Sequence, residues 1–500
     1  MIEPYALWWG DRSKTTETCH LRRREALRGH DCFGGHGMRH RYAAFCSVMT
    51  VALLGITACS GSSGDASSET DQLTVWTTED LPDRVASQQA IMDQFSESSG
   101  IEVELVAIAE DQLTSVLSSS AASGELPDVI GALSLNGMNQ LSTDGLLDTS
   151  AAAAVVEELG ADTFSPRSLE LTSSDGEQLS VPSDAFAQLL FYRQDLFEQA
   201  GLDAPTTFEA IERAAQALHT DELAGIVAAT APADSFTQQT FEQFALANGC
   251  ELVGDDGSVT LNSDQCQESL TFYSALLRDY SVPGNQDADT TRASYFAGDA
   301  AMTVWSSFLL DELAGLRSDA LPTCAECADD PAFLADNTGI VTAIQGPDGE
   351  QPAGYGEIVS WNILNDAAPA AQDLVTFMMG DGYQDWLAVA PEGKIPVRLG
   401  TADNPTEFTD AWQGLEAGVD SKALLSSIYA PETLAEISQS TNQFKRWGIP
   451  QGQGALAAAV SGQFIAPQII ASMVSSGTSG EEAASQAQDE AESLQADLGQ

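Results

Sequence analysis

Residues 181–218 (VPSDAFAQLLFYRQDLFEQAGLDAPTTFEAIERAAQAL) constrain the fold more than any other stretch of the chain. A Pro-led extended run carries apolar residues through Leu189, Leu190, Phe191 and Tyr192, then gives way to a short helix at about 195–200 that Gly201 can stop. Pro205 and the box Thr206-x-x-Glu209 open a second helix, with Phe208, Ile211, Ala215 and Leu218 on one face. The order is strand, short helix, turn, amphipathic helix.

Upstream, 73–77 (LTVWT) reads as a buried strand, Asp83 can cap a helix carrying Ile91 and Phe95, and Gly100 ends it. Residues 101–108 alternate as a second strand, 111–123 read as a second helix and 128–132 as a third strand. This β-α-β-α-β order predicts a parallel sheet with right-handed crossovers, whose ligands sit beyond the carboxyl ends of the strands. Those ends fall at 76–79 and 134–136, and Asp128 reads as a strand-entry residue. Asp175-Gly176 is a hairpin turn.

Downstream, 236–247 and 267–280 pattern as helices around a turn-rich hairpin at 249–260. In 295–305 (YFAGDAAMTVW), Gly298 ends a helix and 301–304 form a short buried strand with Trp305 and Phe308 at its exit. A GPDG turn at 346–349 precedes the apolar run 358–364, and a Gly-rich break spans 448–454. The box Ser479-x-x-Glu482 opens the last helix. Five hundred residues exceed one ordinary domain and supply ample core material.

The 181–218 string closely resembles the "vP…lYYnkdlFekaGld.PpTtwdE" segment of family 1 extracellular solute-binding proteins, the maltose-binding-like group serving ABC importers. Residues 124–129 with 145–147, 295–305, 354–357 and 393–398 (GKIPVR) are similar to further elements of that family, so the resemblance covers roughly 70–500. It implies a two-lobed α/β fold of the periplasmic-binding-protein type II, with a ligand cleft between the lobes. The three interlobe crossings are expected near 182–186, 355–362 and 398–404. The lobes would be 71–182 with 358–402, and 183–357 with 403–500. The resemblance further implies no catalysis and no cofactor, and a monomer that captures a sugar or oligosaccharide by hinge closure. Its partners would be two ABC permease subunits and a cytoplasmic ATPase. A polyol, an osmolyte or a glycerol phosphodiester remains open as ligand, as does a ligand-sensing or structural envelope role.

The start of the chain has a different character. Residues 1–37 show no periodic pattern and read as a gene-model extension or disordered segment, with Met38 as the true start. A basic head at 38–41 and an apolar run at 42–58, too short to span a bilayer, form a secretory signal. Ile56-Thr57-Ala58-Cys59 resembles a bacterial lipobox, in which Cys59 would be lipidated and held to the outer face of the cytoplasmic membrane. An ordinary signal peptide with an incidental Cys is the alternative. Residues 59–70 form a Ser/Gly tether reaching about 18 Å.

Beyond residue 58 there are 12 Lys and Arg against 69 Asp and Glu, a net charge near −57. Such a surface repels nucleic acid and anionic lipid heads. It fits either adaptation to salt or a drifted soluble surface. Cys250 with Cys266, and Cys324-x-x-Cys327, read as two local disulfides in an exported protein. No His lies near either pair, which argues against zinc, and no metal site is expected.

A neutral polyol calls for aromatic faces and planar polar groups in a largely preformed cleft. Trp76, Phe186, Trp305, Phe308, Tyr355 and Trp447 fall at strand ends, crossings or loops, each as suited to core packing as to ligand stacking. Trp305 is the foremost among them. Glu79, Asn136, Asp184 and Glu357 are the polar candidates, with Gln451 weaker and Arg398 a cation near the cleft. Enzyme signatures are lacking: there is no Gly-x-Ser-x-Gly, His-Glu-x-x-His, P-loop or dinucleotide fingerprint, and His219 is the one His past residue 58. A glycosidase built on paired carboxylates stays open, since carboxylates abound.

Overall fold

The computed structural model describes residues 72–499. The expectations for Met38, the signal segment, Cys59 and the tether lie outside the described residues.

Strands β1 (Gln72–Thr77), β2 (Glu102–Ala107) and β3 (Val129–Leu133) are parallel, with β1 between the other two, and helices α1 (Pro82–Ser99) and α2 (Glu110–Ser123) make the crossovers. Helix α1 begins on Pro82 with Leu81 in the cap position, so Asp83 lies in its first turn and is not the cap. Asp128 fastens strand entry: its carboxylate accepts the Thr74 and Ala368 amides, each at 2.8 Å. Helix α3 (Leu135–Thr143) follows β3 at once, with the Ser134 hydroxyl accepting the Gly137 amide.

A hairpin of β4 (Ser173–Ser174) and β5 (Glu177–Gln178) turns on Asp175 and Gly176, both at positive φ as a two-residue turn requires. Next comes β6 (Val181–Arg193), buried along nearly its whole length. Its second half pairs with β7 (Met302–Ser306) and β8 (Thr338–Val341). Its first half pairs with β9 (Gly354–Ile363), which itself pairs with β3 at one end and with Phe444 and Lys445 at the other. Strand β10 (Ile395–Pro396) adds to Asp184 and Ala185, giving the order β10-β6-β9-β3-β1-β2. The molecule is therefore two-lobed, with β6 and β9 belonging to both lobes.

That role explains why 181–193 shows no alternation of buried and exposed residues, and why even its Ser183, Asp184 and Gln188 are buried: a strand covered on both faces has no solvent side to alternate toward. A register shift between Pro182 and Asp184 bends β6 where it passes from the β3 side toward the second lobe. On β9, a Cβ at Gly356 would lie 1.9 Å from the Phe444 ring, so glycine is needed for the second lobe to seat on the crossing strand. The amphipathic helix Phe208–Leu218 is capped by Thr207, whose hydroxyl accepts the Ala210 amide. The cap expected at Thr206 is thus shifted by one residue.

Both disulfides are formed, Cys250–Cys266 and Cys324–Cys327, and all four cysteines are buried. Closing the loop between positions 250 and 266, a separation of 16, contributes about 3 kcal/mol in the chain-entropy account.

The few cations are mostly spent inside. Among the described residues Arg84, Arg193, Lys394, Arg398 and Arg446 are buried, Arg167, Arg292, Arg317 and Lys445 are half-buried, and only Arg213, Arg278 and Lys422 are exposed. The exposed charge of the described residues is therefore almost all acidic, and self-repulsion across it is relieved by screening, whose range falls from about 10 Å at 0.1 M salt to about 3 Å at 1 M. The melting midpoint of the domain is expected to rise by several degrees between low and molar NaCl. A midpoint indifferent to salt would show that the repulsion is already balanced within the fold.

Candidate functional site

A cavity of about 500 Å³ lies where β6 and β9 cross between the lobes. Its floor is Asp184 and Phe186 of β6 with Tyr355, Glu357 and Val359 of β9. One wall comes from Glu79 after β1, the β3 exit and α3, which presents Asn136, Gly137 and Gln140. The facing wall is Phe236, Gln238, Gln239 and Glu242 of the helix Ser235–Ala247, Phe308 beyond β7, Arg446 with Trp447, and the small residues of the helix Gly454–Gly462. The walls meet where α3 packs on that last helix. A Cβ at Gly454 would lie 1.9 Å from Asn139 Oδ1, so this seam closes only on a glycine.

Charges in the cavity wall are ion-paired in two groups. In the first, Glu79 accepts Arg84 at 2.9 Å and Lys394 at 2.7 Å. Burial pushes its carboxyl up, but Lys394 and Arg84 outweigh that and hold it well below the usual carboxylate range. Lys394 also lies 3.6 Å from Asp184 Oδ2 and 4.0 Å from the Trp386 ring centroid. Asp184 Oδ1 accepts the Trp386 indole and the Ser183 hydroxyl, each at 2.6 Å, while Oδ2 makes no hydrogen bond.

In the second group, Glu357 accepts the Leu135 amide at 2.7 Å, Arg446 at 2.6 Å and the Tyr355 hydroxyl at 3.1 Å. Arg446 also reaches Glu242 at 3.5 Å, and Glu242 accepts the Trp447 amide at 2.9 Å. Desolvation disfavours the Arg446 charge, yet the Glu357 carboxylate overcomes it and raises the guanidinium pKa. The aromatic surface is a tilted Phe186–Phe308 pair, 5.7 Å between centroids, with the Arg84 guanidinium 5.0 Å from the Phe308 ring.

This set offers rings, amides, hydroxyls and hydrogen-bonded carboxylates, which suits a neutral solute rich in hydroxyl groups. Among the described residues the one imidazole, His219, is exposed beside Tyr280 and does not line the cavity. Nor do any three His, Cys, Asp or Glu side chains among them converge to hold a metal ion.

Residues 78–385 match the model of the bacterial extracellular solute-binding proteins, well over half of the chain. The chain belongs to that family. A protein of Escherichia coli (strain K12) named as an ABC transporter periplasmic-binding protein, YcjN, is 28% identical over 323 residues, covering 62% of this chain and 69% of that protein. The ribitol-bound ABC transporter solute-binding protein of Agrobacterium radiobacter K84 superposes with a TM-score of 0.61 at 21% identity, covering 85% of this chain and 98% of the other. Maltose-bound MalE3 of T. maritima gives 0.61 at 19%, covering 85% and 99%.

In this solute-binding protein, eight of the ten residues expected at the ligand line the cavity: Glu79, Asn136, Asp184, Phe186, Phe308, Tyr355, Glu357 and Trp447. The other two do not. Trp305 is buried with its ring 5.4 Å from Phe236 and its indole N–H on the Ala288 carbonyl at 3.1 Å. Alternation along β7 turns Trp305 into the core and gives Ser306 to the cavity. Trp76 packs in the core against the neighbouring strands, one residue short of the β1 exit. Gln451 does not line the cavity, and Arg398 is held elsewhere by the Thr163 hydroxyl and the Leu159 and Met379 carbonyls.

The structure also brings in residues that the sequence reading missed. Arg446 lines the cavity directly, and Lys394 and Arg84 stand behind Glu79. A signal was available: in a chain with 12 cations past residue 58, Lys394 and Arg446 lie inside the GKIPVR stretch and beside Trp447. The polar face of the helix Ser235–Ala247 carried no comparable mark.

Proposed function

We propose that this protein is the substrate-binding component of an ABC importer, capturing a neutral sugar, oligosaccharide or polyol between its lobes and delivering it to the permease. The observation that carries the reading is the cavity itself, about 500 Å³, at the crossing of β6 and β9 and walled by both lobes with rings and hydrogen-bonded carboxylates. A ligand bridging both walls favours the closed form by its differential affinity, and that form is what a permease would recognise. The lobe division is proposed as 71–182 with 358–402 against 183–357 with 403–500. Cys59 is proposed as the lipidated anchor, which mass analysis of the mature N-terminus would check.

The test is a thermal-shift screen of residues 71–500 against sugars, polyols, osmolytes and peptides. A ligand at a hundred times its Kd stabilises by about 2.7 kcal/mol. Phe308→Ala, which removes half of the ring pair, is expected to weaken binding about tenfold or more while leaving the fold intact. A shift with an osmolyte or peptide and none with any sugar or polyol would overturn the ligand class. Recovery of a bound oligosaccharide as shorter fragments would instead favour a glycosidase.

A further inference from the structure

We propose that Glu357 is the positioning residue that couples the two lobes, by tying the first amide of α3 and the Arg446 guanidinium to one carboxylate on the crossing strand. The proposal rests on the hinge-closure reading above.

Glu357 sits at the middle of β9, between the residues that pair with Phe444 and Lys445 in the second lobe and those that pair with β3 in the first. Its two oxygens face opposite ways. Oε1 accepts the Leu135 amide at 2.7 Å, a donor at the start of α3 that helix geometry leaves without an intrahelical partner. Oε2 accepts Arg446 at 2.6 Å and Tyr355 at 3.1 Å. The side chain is 4% exposed, so neither set of bonds can be replaced by water without opening the cavity.

Arg446 is the second half of the device. It follows Phe444 and Lys445 directly, lies 4.7 Å from the Tyr355 ring centroid, and reaches Glu242 on the helix Ser235–Ala247. Its buried Nε faces Glu242 Oε1 at 3.5 Å, an ion pair without a hydrogen bond, while Nη1 holds Glu357. A rotation that parts α3 from the Arg446 wall must lengthen one side of the Glu357 bridge, because a single carboxylate cannot follow both. Residues immediately beyond the bridge, Asn136 and Gly137 on one side and Trp447 on the other, line the cavity. Ligand seat and lobe angle are therefore set by the same group.

The coupling is tested without any ligand. Spin labels on Ala86→Cys in α1 and Ser485→Cys in the helix Gly480–Leu498, both exposed, report the interlobe distance by pulsed dipolar spectroscopy. Glu357→Gln and Arg446→Lys are each expected to shift the distribution to longer distances while unfolding stays cooperative. Tyr355→Phe, which deletes one donor and keeps the ring, should give a smaller shift and serves if a charge variant fails to fold. A closed population lowered tenfold would weaken apparent affinity about tenfold for any probe found in the screen. Distributions identical to the parent in all variants that fold would overturn the proposal. Absence of sugar or polyol binding would overturn only the ligand reading, since the distance measurement needs no solute.

Discussion

Lys394→Met is expected to lower folding stability by about 3–5 kcal/mol, the range for removing one partner of a buried ion pair. Lys394 is 1% exposed, 2.7 Å from Glu79 and 3.6 Å from Asp184, with its ammonium 4.0 Å from the Trp386 ring. Methionine keeps the length and apolar stem but leaves two buried carboxylates without the ammonium that paired them. Arg84 still holds Glu79, so the larger share of the loss falls on Asp184, whose Oδ2 pairs with no cation but Lys394 among the described residues. The double variant Lys394→Met, Asp184→Asn should recover much of the loss, because the stranded charge goes with its partner. Urea denaturation of the three variants measures both effects. Equal losses in the single and double variants would mean that packing of the Lys394 stem, and not charge, sets the cost.

The second large effect is with pH, and its sign runs opposite to ordinary acid denaturation. Glu312 is buried, and desolvation outweighs Arg292 at 3.0 Å to push its carboxyl up to about 7. Burial, with Glu392 and Glu312 nearby, also raises Asp311, neither of whose oxygens makes a hydrogen bond. Burial raises Glu392 against the opposing pull of Arg84. A carboxyl that holds its proton more tightly when folded contributes stability below its unfolded value and loses it as pH rises through the folded value. For Glu312, moving from 4.5 to about 7, the loss is about 3 kcal/mol across that interval at about 1.4 kcal/mol per pH unit. Glu79 works the other way: its lowered value supplies stability above about 4.5 that disappears as the solution becomes more acid. Stability should therefore peak in mildly acidic solution and decline toward neutrality, and Glu312→Gln should flatten the decline. Chemical denaturation at several pH values between 4 and 8 decides it. A monotonic rise toward pH 8 would show that Arg292 and Arg317 keep Glu312 ionised throughout.

Much of the architecture was legible because it rests on local chemistry. The β-α-β-α-β opening, the Asp175-Gly176 hairpin, the left-handed cap at Gly201 and the Ser479 cap each follow from periodicity or from one residue's backbone preference. The strand at 181–193 was legible as extended from its Pro-led run through Leu189, Leu190, Phe191 and Tyr192, whereas its place between the lobes was implied by the family resemblance. Strand exits also located most of the cavity, since Glu79, Asn136, Phe308 and Trp447 all lie just past an element end.

The errors share a physical cause. Trp305 and Trp76 occupy the last positions of their strands or the ones before, where a single step of register moves a side chain from cavity to core. No composition or spacing decides that step. The partners that hold the site's carboxylates come from distant parts of the chain: Glu79 with Lys394, and Glu357 with Leu135 and Arg446. The sequence by itself determined the parallel β-α-β-α-β opening, the helix caps and the acidic balance, because those depend on short-range pattern and bulk charge, and its resemblance to the solute-binding proteins implied the two lobes and their crossings. Only the tertiary structure decided which rings face the cavity, which carboxylates are paired and where the lobes touch at Gly454, because these depend on register and on contacts between residues hundreds of positions apart.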